Sequence, residues 1–488
     1  MLRQLFFLTL FSALLSTSSM TMAKSVSGAS LNGIKGALCV VRADDKLVLV
    51  HEILTNKISL PGGTIIEGES PEIAAQRETW EETGLAVTVG NELGRTSTAI
   101  LFDCVSDSEV IAFSMNNSLG GNELPSWFAP HYGVEVASAM LLNPSELTAS
   151  QYRYPAQWPE VVNLFANATN QSVSYVTQLI ESAPTFRQVE LSWVMELQGW
   201  IGELSDNSYK AAYDFASVVM ELTTPTILLF LFPFVMMRFD SRFVYRLFFA
   251  ITATSLMVLV AQQGFSLPRP HVYVPMAELP NSYGFSFPSL PIAVWFCVLT
   301  FLFQRTHSFG FNSTTVLMAA ITLIVMLCCK FFLGSAFILD MLLGALLGIL
   351  VAWHVLRLET NPEVNVDQLL SSKGVWFTLT AVTAVISVIW PLPVFGNWLA
   401  MLITASALVL TFKESQVRLN SKQMIFVTLA LILTQQVYLF AATSVSSSGF
   451  WSLVFMTFHY PILMLLFIFM ARRLTHQNQY QEELKLSE

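Results

Sequence analysis

The chain has 488 residues, a formal net charge of −9 and five cysteines; 53% of its residues are hydrophobic and only 12% are charged. Such a length allows about three average domains, and this composition excludes an ordinary soluble protein. The negative charge and the lack of a basic patch argue against a nucleic-acid partner. Because long apolar runs begin after about Tyr213, the sequence predicts a soluble domain followed by an all-α, polytopic membrane domain.

The N-terminus has the features of a secretory signal. The first residues carry a positive charge, residues 5–15 form an apolar run, and Thr21-Met22-Ala23 is a loose cleavage site. The pattern predicts a signal peptide over 1–23 or an uncleaved signal anchor. Either would deliver the next domain to the outer side of the membrane.

Residues 35–51 predict two short strands around an Asp44-Asp45 turn. Cys39 lies in the first of these strands. It could form a disulfide with Cys104 if this part of the chain is outside the cytoplasm, but their spacing does not decide the pairing.

A helix is predicted to begin at Ser70-Pro71 and to end at Gly84, because these residue types favour helix starts and stops. Three acidic side chains share one face of it, at i, i+3 and i+4: Glu78, Glu81 and Glu82. Their mutual repulsion would be relieved by Mg²⁺, which prefers oxygen ligands and bridges carboxylates to phosphates. The alternative is a solvated acidic face with Arg77 as an ion-pair partner.

The longer pattern around this helix favours the metal site. It consists of Gly63, Glu69, Arg77-Glu78, Glu81-Glu82 and Thr83-Gly84-Leu85, with five residues before Glu69 and seven after it. This resembles the Nudix hydrolase signature GX5EX7REUXEEXGU at every fixed position. The one departure is Thr79, where the family prefers a bulky aliphatic residue. The resemblance covers about residues 35–166.

The resemblance implies an α/β (α+β) sandwich over about 30–170, and the strand patterns at Val105–Ser114 and Val134–Leu142 fit that fold. It implies metal ligation of Mg²⁺ or Mn²⁺ by four residues: Glu78, Glu81, Glu82 and the Gly63 carbonyl. Arg77 and Glu69 would orient the loop and helix, and Gly84 would belong to the structural motif. Glu81, Glu82 or a carboxylate from a later loop would activate water.

The membrane domain is predicted to have about nine spans. They run near 217–237, 243–262, 289–304, 313–331, 337–356, 375–391, 397–412, 423–442 and 450–471. Lys and Arg cluster in alternate connections, so the positive-inside rule places the soluble domain outside and the tail, 475–488, in the cytoplasm. Residues 187–213 predict an amphipathic linker helix that lies in the membrane interface or docks the two domains.

Residues 214–358 have a fainter resemblance, to the type 2 phosphatidic acid phosphatases (PAP2). The family motifs are K-x6-R-P, P-S-G-H and S-R-x5-H-x3-D. This chain has Arg269-Pro270, Pro288-Ser289 and Lys330 to Asp340 in that order, with Gln262 at the first lysine position. The spans over 374–474 resemble no family that we recognise.

Both histidines of the PAP2 pattern are replaced, by Pro291 and Ala336. Because phosphoryl transfer to histidine needs an imidazole, the resemblance implies a degenerate scaffold without phosphatase activity. Four residues would form a remnant anion site for a phosphate headgroup: Arg269, Lys330, Ser289 and Asp340. The alternatives are a structural ion pair at Asp340 and loop residues that merely separate helices.

These features favour a membrane-anchored Nudix diphosphohydrolase in a bacterial inner membrane, with its Nudix domain in the periplasm. An exported domain would meet few free nucleoside triphosphates, so a nucleoside- or lipid-linked diphosphate is the expected substrate and membrane lipids are expected partners. The alternative is a transporter, lipid-binding or sensory protein whose Nudix domain only recognises a diphosphate.

Overall fold

The computed structural model describes residues 33–204, 206–239, 241–274, 283–304, 313–360, 365–370, 372–411 and 417–487. The chain divides into two compact units, Met1–Thr177 and Gln178–Glu488. The expected signal segment, 1–23, lies outside the described residues.

Short strands dominate the described part of the first unit. They are β1 (Gly36–Val40), β2 (Arg42–Ala43), β3 (Lys46–Glu52), β4 (Ile58–Ser59), β5 (Gly62–Thr64), β6 (Val87–Arg95), β7 (Ala99–Ser106), β8 (Val110–Phe113), β9 (Asn122–Leu124), β10 (Val136–Leu142), β11 (Asn170–Gln171) and β12 (Val173–Val176). The α-helices are α1 (Pro71–Thr83) and α2 (Trp158–Phe165).

The strands form mixed sheets. One has the order β5-β1-β7-β6, a second has β11-β2-β3-β10-β9 with β4 on β3, and β12 pairs with β8. Strands β1 and β7 are parallel, whereas β1 and β5 are antiparallel. Helix α1 packs its buried Ala74 and Ala75 into the same apolar core as Cys39 and Cys104. This α/β arrangement agrees with the expected fold class and places α1 beside β1 and β5.

The local strand predictions agree with the structure except at 105–114. Asp44 and Asp45 have φ of 50° and 54°, a left-handed pair that Asp tolerates in tight turns, and they separate β2 from β3. Residues 105–114 are not one strand, because they are divided between the end of β7 and β8. The polar run Ser106 to Glu109 between them favours a turn.

The described part of the second unit is helical. Its helices are α3 (Thr185–Leu204), α4 (Asp206–Met220), α5 (Pro225–Arg238), α6 (Ser241–Phe265), α7 (Leu290–Gln304), α8 (Ser313–Phe332), α9 (Ile338–Thr360), α10 (Val366–Leu370), α11 (Lys373–Ile389), α12 (Pro393–Thr411), α13 (Ser421–Ser444) and α14 (Gly449–Ser487). Of the expected linker helix, 187–213, residues 187–204 lie in α3 and residues 206–213 lie in α4, and Ser205 lies outside the described residues.

Five helices among the described residues are long and apolar enough to cross a membrane, and a bent pair, Asn207–Thr223 with Pro225–Arg238, would make a sixth. Three of the expected spans fall on shorter apolar helices, within α7, α8 and α11. The expected count of nine is therefore not confirmed. These helices nevertheless indicate an association of the second unit with a membrane.

Candidate functional site

Helix α1 has local signals at both ends. The Ser70 side chain accepts a hydrogen bond from the Ile73 backbone N–H at 3.4 Å, and Pro71 occupies the first turn. Gly84 ends the helix with φ 75°, a left-handed conformation that suits glycine, and its N–H donates to the Trp80 carbonyl. These signals fix which residues of the motif lie in the helix and therefore which of them share a face.

The acidic side chains of α1 are held together by Arg77. Arg77 Nη1 donates to Glu78 Oε1 at 2.9 Å and to Glu81 Oε2 at 2.8 Å. Arg77 Nε and Nη2 donate to the two carboxylate oxygens of Glu69 at 2.9 and 3.1 Å. The arginine thus links the loop after β5 to the acidic face of α1.

The glycine pair in β5 gives the helix close access to the backbone. A methyl group added at Gly63 would overlap the Glu78 carboxylate, so glycine lets that carboxylate approach the strand. The Gly62 N–H donates to Glu82 Oε2 at 2.9 Å. Glu82 therefore faces the strand while Glu78 and Glu81 share Arg77, and the three predicted ligands do not form one equivalent set.

Burial changes the acidity of two of these carboxyl groups. It raises the pKa of Glu78 above its usual value, although Arg77 acts in the opposite direction. Burial raises the pKa of Glu82 well above its usual value, and the Gly62 N–H offsets only part of this. For Glu69 the hydrogen bond from Arg77 dominates, so its pKa is lowered. The site therefore concentrates carboxylates that need a positive partner.

Thr79, the departure from the family pattern, is fully buried in α1. Its Oγ1 donates to the Ala75 carbonyl at 2.7 Å, so the hydroxyl does not remain unpaired in the core. The substitution leaves the acidic face unchanged, because Thr79 lies on the side of the helix that packs into the sheet.

His131 is a candidate ligand that the sequence interpretation missed. Ligand atoms of Glu78, Glu81 and His131 lie within 4.8 Å of one another, in a group that does not include Glu82. His131 Nε2 lies 3.8 Å from Glu81 Oε2, and the His131 backbone N–H donates to the Glu81 carbonyl at 2.7 Å. A histidine in the loop between β9 and β10 has no motif around it, so its only sequence signal was the residue type.

The residues around Glu78 fit a hard divalent cation. Carboxylate oxygens are ligands that Mg²⁺ and Mn²⁺ accept, and the missing Cβ of Gly63 leaves the strand backbone within reach of the same point. Arg77 supplies positive charge at this point in the structure, while its Nε and Nη2 donate to Glu69. The donor set therefore agrees with the metal expected from the motif, while the identity of the ion is not determined.

The structure joins Cys39 of β1 to Cys104 of β7 in a disulfide, with their Cα atoms 5.5 Å apart. The pairing that the spacing left open is therefore formed. Both residues are fully buried, and Cys39 Sγ lies next to the Ala75 carbonyl of α1. The covalent link thus lies directly beneath the helix that carries the acidic side chains.

In the second unit, the four predicted remnant residues lie in one buried cluster. Lys330 Nζ donates to Ser335 Oγ at 2.9 Å, and Arg269 Nη1 donates to the Ser335 carbonyl at 2.8 Å. The Ser289 N–H donates to the Asp340 carbonyl at 2.9 Å. The turn between α8 and α9 therefore brings the expected residues together.

Arg187 is a member of this cluster that the sequence interpretation did not identify. Its Nη2 lies 2.5 Å from Asp340 Oδ1, and the two side chains are 2% and 0% exposed. The guanidinium faces the rings of Phe287 and Phe337, 5.5 and 4.2 Å from their centroids. Arg187 Nε and Nη1 have no hydrogen-bond acceptor among the described residues. One basic residue at the start of a predicted amphipathic helix gave no signal for such a contact.

The comparisons with known proteins identify the class of the first unit. Residues 34–159 match the model of the NUDIX domain. The chain is 28% identical over 131 residues to a "MutT-like protein" of Streptomyces ambofaciens, which corresponds to 25% of this chain and 85% of that protein. The first unit therefore carries the domain of a hydrolase that acts on pyrophosphate bonds. It is a NUDIX domain, as the motif predicted.

Solved structures also resemble parts of the chain. An ADP-ribose pyrophosphatase from Streptococcus suis is 16% identical with a TM-score of 0.20, and the match covers 28% of this chain and 96% of that one. A PAP2 type phosphatidylglycerolphosphate phosphatase from Bacillus subtilis is 18% identical with a TM-score of 0.26, and the match covers 35% of this chain and 94% of that one.

Proposed function

We propose that the protein is a membrane-anchored Nudix diphosphohydrolase that cleaves a nucleoside- or lipid-linked diphosphate with Mg²⁺ or Mn²⁺. The observation that carries the proposal is that ligand atoms of Glu78 and Glu81 lie within 4.8 Å of each other, with Gly63 of β5 next to the Glu78 carboxylate. The intact motif favours catalysis over ligand recognition alone, because a purely binding domain has no need of every carboxylate.

In this proposal Glu78, Glu81, Glu82 and the Gly63 carbonyl hold the cation. When bound, the cation acidifies coordinated water and neutralises charge that develops on the bridging oxygen. Arg77 orients the Glu78 and Glu81 carboxylates through the bonds from its Nη1. Glu81 or Glu82 accepts a proton from the attacking water, whose oxygen bonds to phosphorus as the bond to the bridging oxygen breaks. The net reaction adds one water across the anhydride.

We also propose that the Nudix domain lies in the periplasm of a bacterium. The Cys39–Cys104 disulfide supports this location, because disulfides persist in oxidising compartments and are rare in the cytosol. The signal-like N-terminus and the alternation of Lys and Arg between apolar runs support it independently. Substrates beside the membrane, such as lipid-linked diphosphates, are the ones an exported domain would encounter.

The PAP2-like half is proposed to bind membrane lipids without phosphatase activity. Pro291 and Ala336 replace the histidines of the pattern, and Asp340 is paired with Arg187. Arg269 Nη1 donates to the Ser335 carbonyl and Lys330 Nζ donates to the Ser335 hydroxyl, so two basic side chains converge on one residue. This convergence supports an anion site for a phosphate headgroup at Arg269, Lys330 and Ser289.

The test uses the full chain in lipid nanodiscs with a panel of nucleoside diphosphates, nucleotide sugars and isoprenoid diphosphates. We expect Mg²⁺-dependent cleavage of one class, abolished by Glu81→Gln or Glu82→Gln. Glu72→Gln removes a carboxylate charge from the exposed first turn of the same helix and should retain full activity. Analysis of the products by ³¹P NMR identifies the bond that is broken. Binding of a diphosphate without turnover would overturn the enzyme in favour of a sensor or transporter.

A further inference from the structure

The loop between β9 and β10 is docked on the C-terminal end of α1. The His131 N–H donates to the Glu81 carbonyl, and the His131 carbonyl accepts from the N–H groups of Glu135 and Val136 at 3.0 and 3.1 Å. The backbone on both sides of His131 is thus fixed by hydrogen bonds. A residue held in this way does not need to reorganise in order to meet a ligand.

The packing of Phe128 strengthens this attachment. Its ring lies where Gly84 has no side chain, so that a methyl group at Gly84 would overlap the ring. The ring also contacts Trp80, with centroids 6.2 Å apart. The glycine that ends α1 therefore also provides the place where the loop binds the helix, and the loop position follows the position of the acidic residues.

The two nitrogen atoms of the His131 ring have different surroundings. Nε2 faces the Glu81 carboxylate at 3.8 Å, and Nδ1 lies 3.6 Å from Glu135 Oε2. Nδ1 has no hydrogen-bond partner among the described residues. Histidines that ligate metals usually present one nitrogen to the ion and direct the other to a carboxylate or carbonyl, and the Glu81 and Glu135 sides of this ring match that arrangement.

We propose that His131 is a nitrogen ligand of the cation held by Glu78 and Glu81, and that this ligand makes the site select Mn²⁺ over Mg²⁺. The inference rests on the metal-dependent function proposed above, but it concerns a residue outside the motif. Mg²⁺ binds oxygen ligands almost exclusively. Mn²⁺ is a first-row transition-metal ion and gains affinity from an imidazole nitrogen. One imidazole among carboxylates therefore shifts the balance between the two ions without excluding either.

The experiment is electron paramagnetic resonance of the full chain in nanodiscs with one equivalent of Mn²⁺. Electron spin-echo modulation detects the ¹⁴N nucleus of a directly bound imidazole, and loss of the free Mn²⁺ signal gives the affinity. We expect ¹⁴N modulation in the wild type and in His51→Ala, which changes the other histidine of the first unit's described residues, and its loss in His131→Ala. Mn²⁺ affinity should fall by about tenfold or more in His131→Ala, while Mg²⁺ affinity measured by competition changes less than about twofold.

Bound Mn²⁺ without ¹⁴N modulation in the wild type would overturn the proposal, and so would modulation that persists in His131→Ala. The wild-type spectrum is decisive even if His131→Ala fails to fold. Glu135→Gln provides a second variant, which should retain the ¹⁴N signal and weaken Mn²⁺ binding.

The outcomes separate this inference from the proposed hydrolysis. Modulation without turnover of any diphosphate overturns the enzyme and leaves the ligand assignment intact. Turnover without modulation overturns only the assignment of His131. Failure of Mn²⁺ to bind overturns the assignment of His131, and failure of both Mn²⁺ and Mg²⁺ to bind overturns the proposed hydrolysis as well.

Discussion

The acidic face of α1 and the buried cluster around Asp340 differ in how their carboxylates are balanced by positive charge. On α1, several carboxylates converge and Arg77 is the only cation bonded to Glu78 and Glu81 among the described residues. Around Asp340, Arg187 forms a fully buried pair with the carboxylate. The carboxylates of α1 therefore still need a cation to balance their charge. The Asp340 carboxylate does not, because Arg187 of α3 is its counterion.

The two sites also differ in the exposure of their charged residues, which bears on the proposal that the first site catalyses a reaction and the second does not. In the first unit, Arg77 and Glu81 of the motif are partly exposed, whereas Glu78 and Glu82 are buried beside β5. In the second unit, the position expected for a nucleophilic histidine is Ala336, which is fully buried, and a guanidinium occupies the contact to Asp340.

The largest expected effect is on catalysis by the acidic face. Glu78→Gln removes the charge of a ligand that contacts Gly63 and should lower kcat more than about 100-fold, since loss of an outer-shell partner alone costs 10- to 100-fold. The measurement is steady-state hydrolysis with the substrate found in the panel. Glu72→Gln, on the exposed side of the same helix, is the control, and equal activity of the two variants would remove Glu78 from the site.

The second prediction concerns the buried pair. Arg187→Ala leaves Asp340 without its counterion and should lower the free energy of unfolding by about 3–5 kcal/mol. Thermal unfolding in detergent would measure the change. The double variant Arg187→Met with Asp340→Asn removes both charges and should be more stable than Arg187→Ala. If both variants unfold at the same temperature, the pair has no electrostatic coupling and the comparison fails on this side.

The third prediction tests the disulfide beneath α1. Replacing Cys39 and Cys104 by alanine should lower the stability of the first unit by about 2–4 kcal/mol, because the cross-link restricts the unfolded chain. Reduction of the wild type should have the same effect, and the double variant should not respond to the reductant. A wild type whose unfolding is unchanged by reduction would contradict the prediction.

The smallest expected effect concerns Gly84, where backbone strain and contact with the Phe128 ring can be measured separately. Gly84→Ala and Gly68→Ala both place a side chain on a residue with positive φ, 75° and 84°, which costs about 1–2 kcal/mol. Only at Gly84 would the new methyl group meet a neighbour, the Phe128 ring, whereas the space at Gly68 is open. Denaturant unfolding should therefore show a larger loss for Gly84→Ala. Equal losses would mean that Phe128 does not anchor the loop.

The sequence predicted the features that depend on neighbours along the chain. Ser70, Pro71 and Gly84 act within one turn of the helix ends, so the bounds of α1 followed from residue types. Once the helix was placed, its period of 3.6 residues determined that Glu78, Glu81 and Glu82 lie near one another. The strand positions around Asp44-Asp45 followed for the same reason.

Features that depend on long-range pairing could not be predicted. The Cys39–Cys104 bond requires β1 and β7 to be parallel neighbours, which no local pattern states. His131 reaches Glu81 because a loop docks on the helix end, and Arg187 reaches Asp340 because α3 packs on the start of α9. The count of nine spans was not confirmed because three of the expected spans fall on apolar helices with only 10–17 described residues, shorter than the five candidate spans.

The bond between Cys39 and Cys104 encloses α1 and the complete glutamate motif in a covalent ring, with a sequence separation of 65 between the two cysteines. A single proteolytic cut anywhere inside that ring leaves both new ends attached to the same molecule. The helix that carries the acidic side chains therefore cannot be released by one proteolytic cut, and a protein cleaved once there would still migrate as a single chain until it is reduced.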